Sequence, residues 1–518
     1  MQIYSSQTHK KAEFEPIEPG KVRMYVCGPT VYDNIHIGNA RTFISFDVIR
    51  RWLIASGYEV TFAQNLTDVD DKIINRANEQ GRTAAEVATE FSNKFIDVMR
   101  RANVIDPDVR PRATKEIGPM IAMIKTLIEQ GHAYAVENGD VYFSVRSDET
   151  YGEVSGRNID DLMVGARIEE NEIKRDPLDF ALWKAAKPGE PSWKSPWGEG
   201  RPGWHTECAA MVHRYLGVPI DIHGGGSDLA FPHHENECAQ ATCAWHQGFS
   251  NAWMHTGMLL VNGEKMSKSL GNFFTLEEVL EKHSAAALRL LMLQTHYRSP
   301  LDFSFERLEG AESSLARIAG TAQNLRWAAA HATGEPDAAL AQKLADAVAA
   351  ADVEFKACMD DDFNTAGALG AFFGFITEAN SYLDAADGAV NAEVVVAAAE
   401  FIERSMDVLG IELPEQEAEL PVEIIALAAE RAGYAGDDTA EAAEALIAAR
   451  AEARAAKDWP WPMPFVMLWA SLAWWWKTPP PALASRRNNQ GWVASSFSLR
   501  RRGPVCDRLR SYGHFFSI

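Results

Sequence analysis

The first hundred residues alternate short apolar runs with longer amphipathic stretches. An apolar run over 23–26 stops at Gly28 and predicts a buried strand ended by a turn. From about Asn39, apolar positions recur every three or four residues up to Gly57, which predicts a helix. A second strand-like run covers 58–65. This order predicts a βαβ unit, in which two parallel strands are joined by a helix.

The periodicity changes further along the chain. Turn-rich sequence between about 114 and 200 predicts an insertion, and its Pro-, Gly- and Trp-rich stretch at 191–204 predicts an ordered loop held by indole rings. Strand-like sequence resumes at 219–223, and helical spacing dominates from 276 to about 409. The whole pattern predicts an α/β fold with a Rossmann-like parallel sheet, an inserted subdomain and a following α-helical bundle.

Composition narrows the class of protein. With 518 residues, 47% of them hydrophobic, the chain can form several cores. A net charge of −22 argues against non-specific nucleic-acid binding, which needs clustered Lys and Arg, but local patches still allow a specific RNA partner. The N-terminal sequence has no apolar signal-peptide core, so we expect a cytoplasmic location without membrane attachment. The six cysteines are scattered, which favours metal ligands or core positions over disulfides.

Two segments carry candidate nucleotide chemistry. The loop before the first helix holds His36, Gly38 and Asn39, at the sheet edge where a helix N-terminus attracts phosphate. Gly38 allows close approach of a ligand, and its two polar neighbours can donate hydrogen bonds. A later loop holds Lys265 and Lys268, which suit triphosphate charge. An exposed loop is the simpler interpretation of either segment alone, so only the two together indicate a nucleotide site.

A third group has metal-ligating residue types. Cys27 follows the first strand and Cys208 lies far along the chain. A helix opened by Pro232 would offer two pairs at four-residue spacing, between which the spacing does not choose: His233 with Glu237, and His234 with Cys238. The alternatives are ordinary core residues or a structural zinc site. Structural sites usually contain closely spaced cysteine pairs, so the position of Cys27 beside the nucleotide loop favours a catalytic or substrate-binding metal.

The sequence resembles the class I aminoacyl-tRNA synthetases through its paired HIGN and KMSKS segments, at 36–39 and 265–269. Longer motifs are similar to the cysteinyl branch of that family: YVCGPTVYDNIHIGNAR, NLTDVDDKI, GWHTEC, DIHGGGSDLAFPHHENE and DDDFNT. The resemblance covers residues 1 to about 459. Asn39 departs from it, because the family commonly has His at this position. Since Asn still donates a hydrogen bond, we expect activity to remain.

The resemblance implies an activity and a set of site residues. The chain would activate L-cysteine with ATP and Mg²⁺, and then transfer it to tRNA(Cys). One zinc ion per chain would bind the substrate thiolate, which separates cysteine from serine better than pocket shape alone. The implied zinc ligands are Cys27, Cys208, His233 and Glu237. The implied ATP contacts are His36, Gly38, Asn39, Lys265 and Lys268, and the implied amino-acid and adenylate contacts are Thr67, Trp204, His223 and Asp228. We expect a monomer.

Four segments are expected: a catalytic domain at 1–310 with the insertion at about 114–200 and the KMSKS loop at 265–269, a tRNA-binding helical bundle at 311–410, a linker with a partial anticodon-binding domain at 411–459, and an aberrant tail at 460–518. When the tail is translated back into the codons that its residues imply, a shift of one base gives sequence similar to the family's usual end. We therefore interpret the tail as frame-shifted after Trp459. A membrane anchor at 462–476 is the alternative, but it contains prolines and is short for a span of about 20 residues.

Two other functions agree with parts of the sequence. A related ligase that joins cysteine to an amino-sugar inositol would use the same zinc and adenylate chemistry without tRNA. The helical region from about 311 to 459 argues against it, because a small-molecule ligase needs no arm that reaches RNA. The second alternative is a catalytically inactive zinc- or nucleotide-binding module, and the presence of both nucleotide segments argues against that.

Overall fold

The computed structural model describes residues 1–158, 173–267, 270–414 and 423–439, together with 441, 442, 445, 446 and 449. Its strands are β1 (Gln2–Ser5), β2 (Lys10–Glu13), β3 (Lys21–Val26), β4 (Glu59–Gln64), β5 (Ala133–Ala135), β6 (Val141–Phe143), β7 (Phe180–Ala185), β8 (Trp193–Ser195), β9 (Gly198–Pro202), β10 (Ile220–Gly226), β11 (Ser250–Thr256), β12 (Leu259–Val261), β13 (Glu264–Lys265) and β14 (Leu301–Phe303). Its α-helices are α1 (Ile37–Ala55), α2 (Asp71–Gln80), α3 (Ala84–Arg101), α4 (Ile117–Glu129), α5 (Trp204–Tyr215), α6 (Glu235–Trp245), α7 (Leu276–Leu280), α8 (Ala285–Leu293), α9 (Phe305–Ala330), α10 (Ala338–Asp360), α11 (Thr365–Ala386), α12 (Ala392–Val408) and α13 (Glu423–Ala432).

The central sheet has four parallel strands in the order β11-β10-β3-β4, with Met24 of β3 paired to Phe62 on one side and Ile222 on the other. The predicted βαβ unit is therefore confirmed as β3-α1-β4. Helix α1 begins two residues earlier than predicted, because His36 caps it and its apolar residues from Ile37 onward are buried. The predicted α/β class with a parallel sheet is confirmed.

The segment between β4 and β10 forms a second, antiparallel sheet in the order β5-β6-β7-β9-β8. The prediction of an ordered loop at 191–204 was wrong in part, because β8 and β9 form a hairpin there that joins this sheet. The Trp183 and Trp197 rings do contact each other, at 6.1 Å between centroids. Gly200 lets the strand cross Trp183, since a Cβ at this glycine would lie 2.3 Å from the indole nitrogen. Prolines and glycines had suggested a loop, but Pro202 here ends a strand. The part of the insertion at 159–172 lies outside the described residues.

Helices follow the central sheet, as predicted, with β14 as the one strand described after residue 276. Helix α10 packs against α11, and α9 packs against α12. Phenylalanines fill the space between them, with Phe401 in ring contact with Phe355, Phe372 and Phe375. The bundle therefore has its own aromatic core.

Two buried carboxylates join distant parts of the chain. Asp47 of α1 accepts from Arg51 and Arg289, and the Arg289 guanidinium also donates to the Leu409 carbonyl beyond α12. Asp362, in the turn between α10 and α11, accepts from the Tyr4 amide at 2.9 Å and also from Tyr297 and Arg298. The N-terminal part of the chain and the bundle are therefore linked by buried polar contacts.

Among the described residues, no helix combines the length and the apolar character needed to cross a membrane. The expectations for the tail at 460–518, including the frame shift and the alternative anchor at 462–476, lie outside the described residues, as does much of the segment at 411–459.

Candidate functional site

A cavity of about 420 Å³ opens at the carboxyl end of the central sheet. Its walls are the loop from Cys27 to Asn39, the end of β10 from Gly226 to Leu229, and the segment from Thr256 to Met266 that carries β12 and β13. Parallel sheets bind ligands at this edge, where loops from neighbouring strands meet.

The HIGN loop forms a reciprocal cap at the start of α1. The His36 Nδ1 atom accepts from the Asn39 amide at 3.2 Å, and the Asn39 Oδ1 atom accepts from the His36 amide at 3.3 Å. Because Nδ1 is an acceptor, the ring proton of neutral His36 lies on Nε2. Asn39 likewise retains its amide nitrogen as a donor. Both side chains line the cavity, so the cap orients two hydrogen-bond donors beside it.

Gly38 brings the two nucleotide segments into contact. A Cβ at this position would lie 3.0 Å from the Met266 methyl group and 2.9 Å from the His36 Nδ1 atom. Lys265 ends the β12-β13 hairpin, paired with Leu260, and also lines the cavity. Lys268, the other lysine predicted at this site, lies outside the described residues.

Four buried side chains meet beside the cavity. The Cys27 sulfur lies 3.7 Å from the Cys208 sulfur and 3.4 Å from a Glu237 oxygen, and His233 Nε2 lies 2.7 Å from Glu237 and 3.7 Å from Cys208. Their potential ligand atoms all lie within 4.8 Å of one another. The structure thus brings together the four residues proposed as zinc ligands, and two sulfurs, an imidazole and a carboxylate are a donor set that zinc accepts.

Of the two residue pairs with four-residue spacing, the structure brings only His233 and Glu237 into contact. The expectation that Pro232 opens the helix was wrong, because Ala230–His234 form a π-helical turn and α6 begins at Glu235. Across this junction His233 still contacts Glu237. Cys238 instead lies beside Thr242, with 3.9 Å between sulfur and hydroxyl oxygen.

A second set of potential ligands shares two members with the first: Cys27, His223, His234 and Glu237. His223 Nε2 lies 2.7 Å from Glu237 Oε2, and His234 Nδ1 lies 2.8 Å from His255 Nε2. The buried Nδ1 of His223 and Nε2 of His234 have no partner within the described residues. No motif in the sequence indicated His255, which reaches the cluster because β11 pairs with β10, with His255 opposite Gly225.

The electrostatics of the cluster favour a charged His–Glu pair. Burial opposes ionisation of Glu237, but the charges of His233 and His223 outweigh it and hold the pKa of Glu237 well below its ordinary value. Burial likewise opposes charge on His233, yet Glu237 raises the pKa of this imidazole. Burial raises the pKa of the Cys27 thiol, whereas hydrogen bonds from Cys27 and His233 outweigh burial at Cys208 and lower its pKa.

The remaining predicted contacts divide into two groups. Trp204 and Asp228 line the cavity, and the Trp204 ring stacks on His233 at 4.2 Å between centroids. Thr67 and His223 are buried beneath it: the Thr67 hydroxyl donates to Glu207 at 2.8 Å, and His223 contacts Glu237.

Tyr32 and Lys72 are among the residues of the cavity wall that sequence reasoning missed. The Lys72 ammonium lies 5.4 Å from the centre of the Tyr32 ring. Both belong to motifs that sequence analysis had singled out, but nothing in their spacing indicates that they face the cavity.

Comparisons with known proteins agree with this geometry. Residues 13–313 match the family model for "tRNA synthetases class I (C) catalytic domain", and residues 354–414 match the "DALR domain". The chain is 49% identical over 433 residues to "Cysteine--tRNA ligase" of Caldicellulosiruptor saccharolyticus, covering 83% of this chain and 92% of that one. It is 48% identical over 460 residues to "Cysteine--tRNA ligase" of Pseudomonas paraeruginosa, covering 89% and 93%.

Solved structures are similar in fold. Methionyl-tRNA synthetase of Mycobacterium tuberculosis with methionyl-adenylate has a TM-score of 0.58 at 15% identity, covering 76% of this chain and 92% of that one. A leucyl-tRNA synthetase complex from Agrobacterium radiobacter has a TM-score of 0.58 at 13% identity, covering 77% and 85%. The chain belongs to the class I aminoacyl-tRNA synthetases, and within them to the cysteine–tRNA ligase family.

Proposed function

We propose that the protein activates L-cysteine with ATP to cysteinyl-adenylate and then transfers the cysteine to tRNA(Cys). The observation that carries this proposal is the buried Cys/His/Glu cluster, which adjoins the cavity at Cys27 while the HIGN loop and Lys265 lie on the same cavity. The identity of 47–49% to curated cysteine–tRNA ligases supports the same activity.

We assign ATP to the side of the cavity formed by His36, Gly38 and Asn39. Their donors and the N-terminus of α1 would contact the nucleotide, while Lys265 and Lys268 would neutralise the departing phosphates together with Mg²⁺. The cysteine carboxylate attacks the α-phosphate, the bond to the β-phosphate breaks and pyrophosphate leaves. The enzyme supplies alignment and charge and forms no covalent bond to the substrate.

We assign zinc to Cys27, Cys208, His233 and Glu237. Two observations favour this set over the one with His223 and His234: it offers two sulfurs, and its His233 stacks on Trp204 at the cavity wall. When bound, the metal supplies an acceptor for the substrate thiolate. Trp204, Asp228 and Thr67 would shape the amino-acid pocket around it, and His223 would support Glu237 from behind.

Three further points belong to the proposal. The catalytic domain would occupy 1–310, the tRNA-binding bundle 311–410, and a partial anticodon-binding domain 411–459. The segment at 460–518 would be a frame-shifted tail. The enzyme would act in the cytoplasm as a monomer.

Charging of purified tRNA(Cys) with cysteine, using ATP, Mg²⁺, zinc and the full chain, tests the proposal. We expect cysteine-dependent exchange of pyrophosphate into ATP and a cysteinyl-tRNA product. Exchange without charging would instead support the amino-sugar ligase, and absence of both would support an inactive binding module.

A further inference from the structure

The guanidinium of Arg41, on α1, holds together two backbone segments. It donates to the carbonyls of Gly257 at 2.8 Å and Met258 at 2.9 Å, which lie just before β12. It also donates to the carbonyls of His296 at 3.3 Å and Ser299, in the turn before β14. The Arg41 side chain is 1% exposed, so water has little access to the guanidinium that makes these bonds.

The two segments held by Arg41 belong to one small sheet. Strand β12 pairs in parallel with β14 and antiparallel with β13, which ends at Lys265. The turns pack tightly, because a Cβ at Gly257 would lie 2.5 Å from the Ser299 carbonyl oxygen. Their backbones also bond directly, from the Gly257 amide to Tyr297 and from the Leu301 amide to Met258.

The same helix carries the HIGN loop at its start. Arg41 lies two residues after Asn39, and Thr42 beside it bonds Thr256 at 2.7 Å between hydroxyl oxygens. The chain beyond the sheet returns to this loop, since the Ile37 amide donates to the Phe274 carbonyl. Both nucleotide segments are therefore fixed to one helix end.

We propose that Arg41 is a positioning residue for adenylate formation, which sets where Lys265 and Met266 lie relative to His36 and Asn39. This inference rests on the proposed function for its kinetic consequence. Arginine is required because its planar guanidinium has five N–H donors, whereas a lysine ammonium cannot serve four carbonyls in this arrangement. A displacement of about 1 Å in a catalytic group can cost about 100-fold in rate.

The experiment compares Arg41→Lys with Arg50→Lys. Arg50 is on the same helix and equally buried, but it donates to Asp106 and Asp108, away from the cavity. We expect Arg41→Lys to lower kcat for cysteine-dependent pyrophosphate exchange at least tenfold, with less than twofold change in KM for cysteine. Arg50→Lys should leave both constants within twofold. Equal losses in the two variants, or wild-type kcat in Arg41→Lys, would overturn the proposal.

Hydrogen–deuterium exchange of the backbone amides tests the proposal without an activity assay. Arg41→Lys should speed exchange in peptides covering 257–261 and 297–303, and Arg50→Lys in peptides covering 105–109 instead. Unchanged exchange at 257–261 in Arg41→Lys would overturn the proposal whether or not the wild type charges tRNA. The wild type could instead show no pyrophosphate exchange while the two variants show the expected hydrogen-exchange pattern. That result would reject the proposed function but would retain Arg41 as the anchor of this sheet.

Discussion

Cys208 and Cys238 provide a matched pair, because one lies in the proposed zinc cluster and the other outside it. Cys208 adjoins Cys27 and His233, whereas Cys238 contacts Thr242. We expect Cys208→Ala to lose bound zinc and to reduce discrimination between cysteine and serine by more than tenfold, because a thiolate ligand is removed. Zinc content by mass spectrometry and pyrophosphate exchange with each amino acid measure this. Cys238→Ala should retain both. Stoichiometric zinc with intact selectivity in Cys208→Ala would reject the assigned site.

The two overlapping ligand sets make opposite predictions for adjacent histidines. If the assigned set is correct, His233→Asn weakens zinc binding about 10- to 100-fold or more, and His234→Asn weakens it less. Competition with a chelator on the purified proteins gives both affinities. A larger loss in His234→Asn would favour the set that contains His223. Folding of each variant is checked by its thermal unfolding midpoint.

Site residues could be predicted from the sequence only where they lie close together along the chain. His36 and Asn39 could be identified because they lie three residues apart at the start of a predicted helix. The choice of His233 over His234 could not be made from spacing, since each lies four residues before a potential ligand and the junction between the π-helical turn and α6 falls within both pairs. Arg41 gave no signal at all, because its four carbonyl partners come from two segments more than 200 residues away.

Gly224 controls how closely α1 packs on the central sheet. A Cβ at this position would lie 2.1 Å from the Phe46 ring. We therefore expect Gly224→Ala to lower the free energy of unfolding by about 1–3 kcal/mol, because α1 must move away from β10. Urea unfolding measures the change.

Gly310 is the control for this substitution. It lies in α9, where an added Cβ meets no atom within 4 Å. Gly310→Ala should stabilise the protein by about 0.5–1 kcal/mol through helix propensity. The double variant Gly224→Ala/Phe46→Leu should recover part of the lost stability, since the two sites share one contact. Strictly additive effects would show that the ring is not the obstacle.

Elements with a clear period were predictable, whereas the β8-β9 hairpin was not. The three glycines at 224–226 also had two possible meanings, a flexible turn or close approach to a ligand. In the structure they end β10, where Gly224 admits Phe46 and only Gly226 lines the cavity. Sequence pattern shows that a backbone is approached closely, but not which group approaches it.

Asp47 links α1 to the helical bundle through Arg289, which also donates to the Leu409 carbonyl. Burial raises the pKa of this carboxyl, but Arg51, Arg289 and the Ile105 amide outweigh burial, so its pKa lies below the ordinary 3.8. Its stabilising contribution is therefore complete above the unfolded-state pKa, and it is lost as pH falls through the lower folded-state value.

Asp47→Asn should cost about 3–5 kcal/mol at pH 7, because two buried arginines lose their counter-charge. The difference in unfolding free energy between wild type and variant should shrink as the pH falls below about 4. Urea unfolding across this pH range tests both statements. Asp361→Asn is the control, since its exposed pair with Lys11 should contribute about 0–1 kcal/mol. A difference independent of pH would contradict the assignment to ionised Asp47.

The hydrogen bond between Tyr4 and the Asp362 carboxylate also affects how the protein folds while it is being synthesised. The strand that begins at Gln2 leaves the ribosome first, but the side chain that accepts the Tyr4 amide is synthesised 358 residues later. At about 5–20 residues per second, that interval is roughly 20–70 seconds. The Tyr4 amide therefore has no Asp362 acceptor until then, and nascent chains shorter than about 362 residues should exchange this amide proton faster than the full chain.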